Sequence, residues 1–248
     1  HKNPTLVELE FGYINAMGLP NPGIEAFGEE MFEASKAGIP IVGSVFGSSA
    51  EEFASLARRM QEYGAEAVEL NLSCPHAKGY GMEMGIDPDV VANIIREVKK
   101  AVVVPVFAKL TPNTHRLIDV AKAAEEAGAD AIVAINTLKA MRIDVDARMP
   151  VLSNRYGGLS GPAVRGVGVR CVYELYEALK IPVIGVGGIE DWRSALEYMM
   201  AGAVAVQIGS GVGRVGPQVF GDVCSGISAY MADNGFRDIT QLVGVAHD

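Results

Sequence analysis

The chain has 248 residues, 49% of them apolar and only 7% aromatic, with 29 glycines, a length and make-up that suit one domain with an aliphatic core, such as an α/β barrel. Thirty acidic against twenty-one basic side chains give a net charge of -9; with no run of Lys or Arg, this excludes nucleic acid and anionic membranes as partners. Three cysteines, without a CxxC pair, exclude a disulfide framework and a zinc site and fit a reducing cytoplasm.

In chain order, Gly23 to Ala37 reads as a helix behind an irregular lead-in. Pro40 to Phe46 (PIVGSVF) is the first strand, and Ser49 caps the helix AEEFASLARRMQEYG. Ala67 to Ser73 (AVELNLS) is the second strand, and Asp87-Pro88 opens the helix DPDVVANIIREVKKA. Pro105 to Leu110 (PVFAKL) follows, then Thr114 leading into HRLIDVAKAAEEAG, and then the strand Ala131 to Asn136 (AIVAIN). Pro182 to Gly187 (PVIGVG) and Ala203 to Ile208 (AVAVQI) complete six strands, and Gly64 and Gly128 end two of the helices. The strands are β-branched and apolar on both faces, as parallel strands covered by helices are. No apolar run approaches the roughly 20 residues of a membrane span, and no signal peptide precedes the first periodic segment.

Alternating βα units make a parallel sheet, either closed into a barrel or open and doubly wound. The distinctive residues cluster at the C-terminal ends of strands, and the last two strands run into the glycine-rich turns GVGGI and QIGSG. Both features favour a (β/α)8 TIM barrel with its phosphate site at those turns. Six of the eight βα units are counted, so the first two strands of such a barrel lie upstream of His1. The whole of 1–248 is then a single barrel domain lacking its N-terminal part.

Asn71 and Cys74 close the second strand, Lys109 and Asn113 flank the end of the third, and Asn136-Thr137 close the fourth. On these residues alone, Cys74 is either a small packing side chain or a reactive thiol at the mouth of a site. Lys109 is more pointed, because a cation inside the apolar run VFAKL requires a negative or electron-rich partner. The glycines at Gly157-Gly158-Leu159-Ser160-Gly161, Gly187-Gly188 and Gly209-Ser210 precede helical patterns, where backbone N–H groups converge on anions. Three such places point to a phosphate-bearing cofactor. Cys171 and Cys224 fall inside helical patterns and read as packing residues.

The strings NAMGLPNPG (Asn15 to Gly23), LNLSCPH (Leu70 to His76), FAKLTPN (Phe107 to Asn113), INT (Ile135 to Thr137), GGLSGPA (Gly157 to Ala163), GVGGI (Gly185 to Ile189) and IGSG (Ile208 to Gly211) occur in this order. Together they resemble the class 1 dihydroorotate dehydrogenases, flavin-dependent (β/α)8 barrels of pyrimidine biosynthesis, nearly from end to end. The stretch from Ile135 to Ala163 is most similar to the B subtype, which passes electrons to NAD through a second subunit.

The resemblance implies FMN as cofactor, no metal, a homodimer of barrels, and an iron-sulfur and FAD subunit as electron-transfer partner in the cytoplasm. It implies Cys74 as the catalytic base, and Asn15, the Met17-Gly18-Leu19 backbone, Asn71, Asn136 and Thr137 around the pyrimidine. Lys109 falls beside the flavin ring, with Ser44, Asn71 and Ile135 against the cofactor. Gly161, Gly187, Gly188, Gly209 and Ser210 fall at its ribityl phosphate. Two departures bear on this. Ser44 stands where bacterial members often carry Asn, and His76 stands where many carry a substrate-binding Asn. The string SCPH is shared with dihydropyrimidine dehydrogenases, which keeps uracil or thymine as an alternative substrate class, and the missing strands keep a non-catalytic flavin-barrel fragment as another reading.

Overall fold

A computed structural model describes residues 1–72 and 84–247. In chain order its elements are β1 (Leu6–Leu9), β2 (Gly12–Asn15), α1 (Ile24–Ser35), β3 (Val42–Val45), α2 (Ala50–Glu62) and β4 (Ala67–Asn71). Then come α3 (Pro88–Ala101), β5 (Val106–Lys109), α4 (Leu117–Glu126), β6 (Ala131–Ala134), β7 (Leu138–Ala140), the two-residue strands β8 (Ile143–Asp144) and β9 (Met149–Pro150), and β10 (Gly157–Ser160). The chain continues through α5 (Arg165–Ala178), β11 (Val183–Val186), α6 (Trp192–Met200), β12 (Ala203–Gln207), α7 (Ser210–Val215) and α8 (Val219–Asn234). They form two compact units, one of Leu19–Val133 and Leu179–Ile181, the other of His1–Gly18, Ala134–Ala178 and Pro182–Asp248.

In the first of these units β3, β4, β5 and β6 pair in parallel, in chain order. Parallel neighbours need a crossover, and α2, α3 and α4 supply it. Helix α2 starts where Ser49 accepts a hydrogen bond from the Glu52 amide, and α3 starts where Asp87 accepts from Asp89 and Val90 with Pro88 in the first turn. The apolar stripe of α2 (Phe53, Ala57, Met60) and that of α3 (Val91, Ile94, Ile95, Val98) are buried along with Val68, Leu70, Val106 and Ile132 of the strands. Each such aliphatic side chain contributes roughly 1.5 to 3 kcal/mol on burial. Helix α4 begins at Leu117, later than its sequence suggests, because the Thr114 hydroxyl accepts from the Arg116 amide and closes a separate turn ahead of the helix.

The other unit contains the parallel pair β11 and β12 and an antiparallel sheet ordered β1-β2-β10-β7. That sheet corrects two expectations. The lead-in before Pro40 contains a hairpin, and Gly157–Ser160 is a strand, with Gly161 beginning the turn. A small core of Ile14, Ala16 and Leu152 fills with Val7, Leu9, Ala140 and Leu159. Cys171 is fully buried in α5 as expected, and burial pushes its thiol above the ordinary range. Cys224, read as a packing residue, is exposed on α8. Across the two units the six expected strands are present, giving the α/β alternation of the (β/α)8 barrel class.

Candidate functional site

The period of two along β4 puts Glu69 and Asn71 on one face, between the buried Val68 and Leu70. Parallel register sets Ser44 of β3 opposite Glu69, and Lys109 of β5 opposite Asn71. The side chains meet accordingly. The Lys109 ammonium lies 3.3 Å from Glu69 Oε1, and Ser44 Oγ donates to the same oxygen at 3.2 Å. Glu69 is 4% exposed, so the negative partner that the Lys109 position demands is a carboxylate on the neighbouring strand. Beyond the strand, Asn113 donates from Nδ2 to Thr111 Oγ1 at 3.0 Å, which fixes the amide in the loop after Lys109.

In the other unit Asn15 ends β2 opposite Gly158 and donates from Nδ2 to the Gly158 carbonyl at 3.3 Å. A side chain at Gly158 would collide with Thr137, so the absent Cβ is what allows Thr137 to sit against this strand. Asn136 Oδ1 accepts from the Thr137 amide at 2.7 Å, which fixes the orientation of its side-chain amide. Met17 is 46% exposed. Gly18 and Leu19, the latter the first residue of the Leu19–Val133 segment, both have left-handed backbones, with φ of 80° and 55°. For Leu19 that conformation costs on the order of 1 to 3 kcal/mol, and strained positions of this sort concentrate at ligand clamps.

The glycine turns in this unit are closely built. A Cβ on Gly188 would stand 2.6 Å from the Gly161 carbonyl oxygen, and one on Gly161 would stand 2.6 Å from Gly12 Cα. Ile135 is buried, donates its amide to Val186 at 3.0 Å, and lies near Gly187. Beneath the Gly187 turn runs Tyr198 of α6, fully buried, its hydroxyl donating to the Gly187 carbonyl at 2.8 Å. Burial pushes the phenol far above its ordinary range, so it remains a donor. Open space adjoins Gly209, and no side chain caps α7 at Ser210 or the short helix that begins after Gly161. Uncapped helix starts of this type direct backbone N–H groups at an anion, so these turns fit a phosphate.

Most of the expected site residues are therefore placed: Ser44, Asn71 and Lys109 with the carboxylate in one unit, and Asn15, Asn136, Thr137, Ile135 and the glycine turns in the other. Cys74 and His76 lie outside the described residues. Two participants escaped the sequence reading. Glu69 had the weak signal of sharing a strand face with Asn71, and Tyr198 had none. Among the described residues no group of His, Cys, Asp and Glu is arranged to hold a metal, and no helix is long and apolar enough to cross a membrane.

Comparison with known proteins identifies the family. The family described as dihydroorotate dehydrogenase matches residues 1–231. A Thermoplasma acidophilum protein named dihydroorotate dehydrogenase B (NAD(+)), catalytic subunit, is 56% identical over 243 residues, covering 98% of this chain and 80% of that protein. Proteins of the same name from Methanocella arvoryzae and Methanocaldococcus jannaschii are 53% and 48% identical, each across 100% of this chain and over 81% and 82% of their own lengths. The match spans both units and every string on which the resemblance was built, and the chain belongs to the dihydroorotate dehydrogenase family.

Proposed function

We propose that this chain is the catalytic subunit of an FMN-dependent enzyme that oxidises dihydroorotate to orotate in pyrimidine biosynthesis. The observation that carries this reading is the 56% identity over 98% of the chain to a relative named for that activity. Residues 1–248 act as one flavin-binding domain in the cytoplasm, as a homodimer, with an iron-sulfur and FAD subunit as partner. The words "catalytic subunit" in the relatives' names support a second subunit.

The cofactor assignment rests on the turns. Gly161, Gly187, Gly188, Gly209 and Ser210 hold the phosphate, and Ile135 packs against the cofactor. Ser44, Asn71 and Lys109 belong to the flavin ring, where a cation favours the reduced, negatively charged state. When bound, FMN accepts the hydride that leaves C6 of the substrate. The protein supplies the rest. Cys74 takes the proton from C5 as a thiolate, and Asn15, Asn71, Asn136 and Thr137 orient the planar ring, each amide offering both donor and acceptor. The turn at Met17, Gly18 and Leu19 receives the carboxylate through its backbone amides.

Replacing Cys74 tests the chemistry. Under anaerobic stopped-flow conditions, Cys74→Ala in the FMN-loaded protein slows flavin reduction by dihydroorotate about 100-fold or more, the usual scale for a positioned base. Cys74→Ser retains part of the rate and requires higher pH, since a hydroxyl is the weaker acid. Reduction of the alanine variant at the wild-type rate would refute the assignment.

A further inference from the structure

Beside Tyr198 and Cys171, three polar side chains are buried among the described residues: Glu69, Thr111 and Ser194. Two of them serve local structure. Ser194 completes the capping box of α6 with Asp191, and Thr111 Oγ1 accepts from Asn113. Glu69 is the one charged residue of the three. Its strand neighbours Val68 and Leu70 are fully buried, and a carboxylate in that setting gives the fold less than an apolar residue of the same size would. What it does have is Lys109, 3.3 Å away, and Ser44, which aims its hydroxyl at the same carboxylate oxygen. The hydroxyl anchors the carboxylate, and the carboxylate anchors the ammonium, whose side chain is 20% exposed.

We propose that Glu69 is a positioning residue for the redox step: it holds Lys109 in place and offsets its charge, and so keeps the bound flavin harder to reduce than Lys109 alone would make it. The proposal rests on the assignment of Lys109 to the flavin ring. With FMN bound beside Lys109, a hydride gained by the oxidised ring, the substrate's C5 proton going to Cys74, would add one negative charge there. A lone ammonium stabilises that charge. An ammonium paired with a carboxylate stabilises it less, because the two fields partly cancel at the ring.

The experiment is an equilibrium titration of the complete FMN-loaded protein against a reference redox dye under anaerobic conditions, with Lys109→Gln in parallel. Glu69→Gln keeps the size and the acceptor oxygen but loses the charge. It is expected to displace the equilibrium about tenfold toward reduced flavin, which for a two-electron couple is about 30 mV. Lys109→Gln is expected to displace it the opposite way. Where Glu69→Gln does not accumulate as folded protein, Glu69→Asp decides instead, because the shorter carboxylate draws away from Lys109 and moves the equilibrium in the same direction by less. A wild-type equilibrium, or one displaced toward oxidised flavin, in the Glu69 variant beside a displaced one in Lys109→Gln overturns the role of Glu69 and leaves the flavin assignment standing. A protein that retains no flavin, or a Lys109→Gln variant with the wild-type equilibrium, overturns the placement of Lys109 and this proposal with it.

Discussion

Tyr198 shows how a residue remote from any reacting atom can shape a binding turn. Its ring passes the places where Gly168 and Gly185 lack side chains; a Cβ on Gly185 would stand 2.5 Å from the ring. The hydroxyl reaches the Gly187 carbonyl and holds the turn proposed to cradle the phosphate. Tyr198→Phe keeps the packing and removes one buried hydrogen bond, worth about 1 kcal/mol. The expected outcome is an FMN dissociation constant raised roughly fivefold, read by fluorescence titration of the flavin-free protein, with the circular dichroism spectrum unchanged. Unaltered FMN affinity would make Tyr198 a packing residue only. Lys109 was legible in the sequence because a lysine between Ala108 and Leu110 cannot be solvated on an ordinary surface. Its partner was not, because Glu69 is brought to it by strand pairing across forty positions, and the face it shares with Asn71 is too weak a signal in AVELN to mark an inward carboxylate.

At the level of elements, the parallel strands and their helices were readable since each carries its own signal: apolar runs for β4, β5 and β6, and side-chain caps at Ser49 and Asp87. The antiparallel sheet was not. β1 (LVEL) and β2 (GYIN) are no shorter than β5 and β6 but lack their continuous apolar runs, and β2 pairs with β10 far along the chain, which no local pattern announces. Helix α6 offers a test of the capping argument. Burial raises the Asp191 carboxyl, but the hydrogen bonds from the Ser194 amide and hydroxyl outweigh it and hold the group below the usual range. A depressed carboxyl contributes stability that is present above its unfolded pKa and lost as pH falls through the folded one. Asp191→Ala therefore costs about 1 kcal/mol at neutral pH, the usual value of an N-cap, lowering Tm by roughly 2 to 4 °C. Scanning calorimetry at pH 7 and below pH 3 checks this: the difference from wild type shrinks in acid. A deficit of equal size at both pH values would place the effect elsewhere.

For the whole molecule, the absence of a long basic run, the net charge of -9 and the family match over residues 1–231 point to a small-molecule enzyme. The choice between dihydropyrimidines belongs to this scale as well. Dihydroorotate and dihydrouracil differ by the carboxylate at C6, so Asn15 and the turn at Met17, Gly18 and Leu19 carry the discrimination in this account. Charge-assisted hydrogen bonds are worth about 1.5 to 3 kcal/mol each, and two or three of them amount to several hundred-fold or more in kcat/KM. The string SCPH at His76 favours the opposite preference. The decisive measurement is the anaerobic stopped-flow reduction of the FMN-loaded complete protein by each substrate at equal concentration. The account predicts rapid bleaching of the flavin by dihydroorotate and a rate lower by several hundred-fold or more with dihydrouracil; equal rates, or faster bleaching by dihydrouracil, would contradict it.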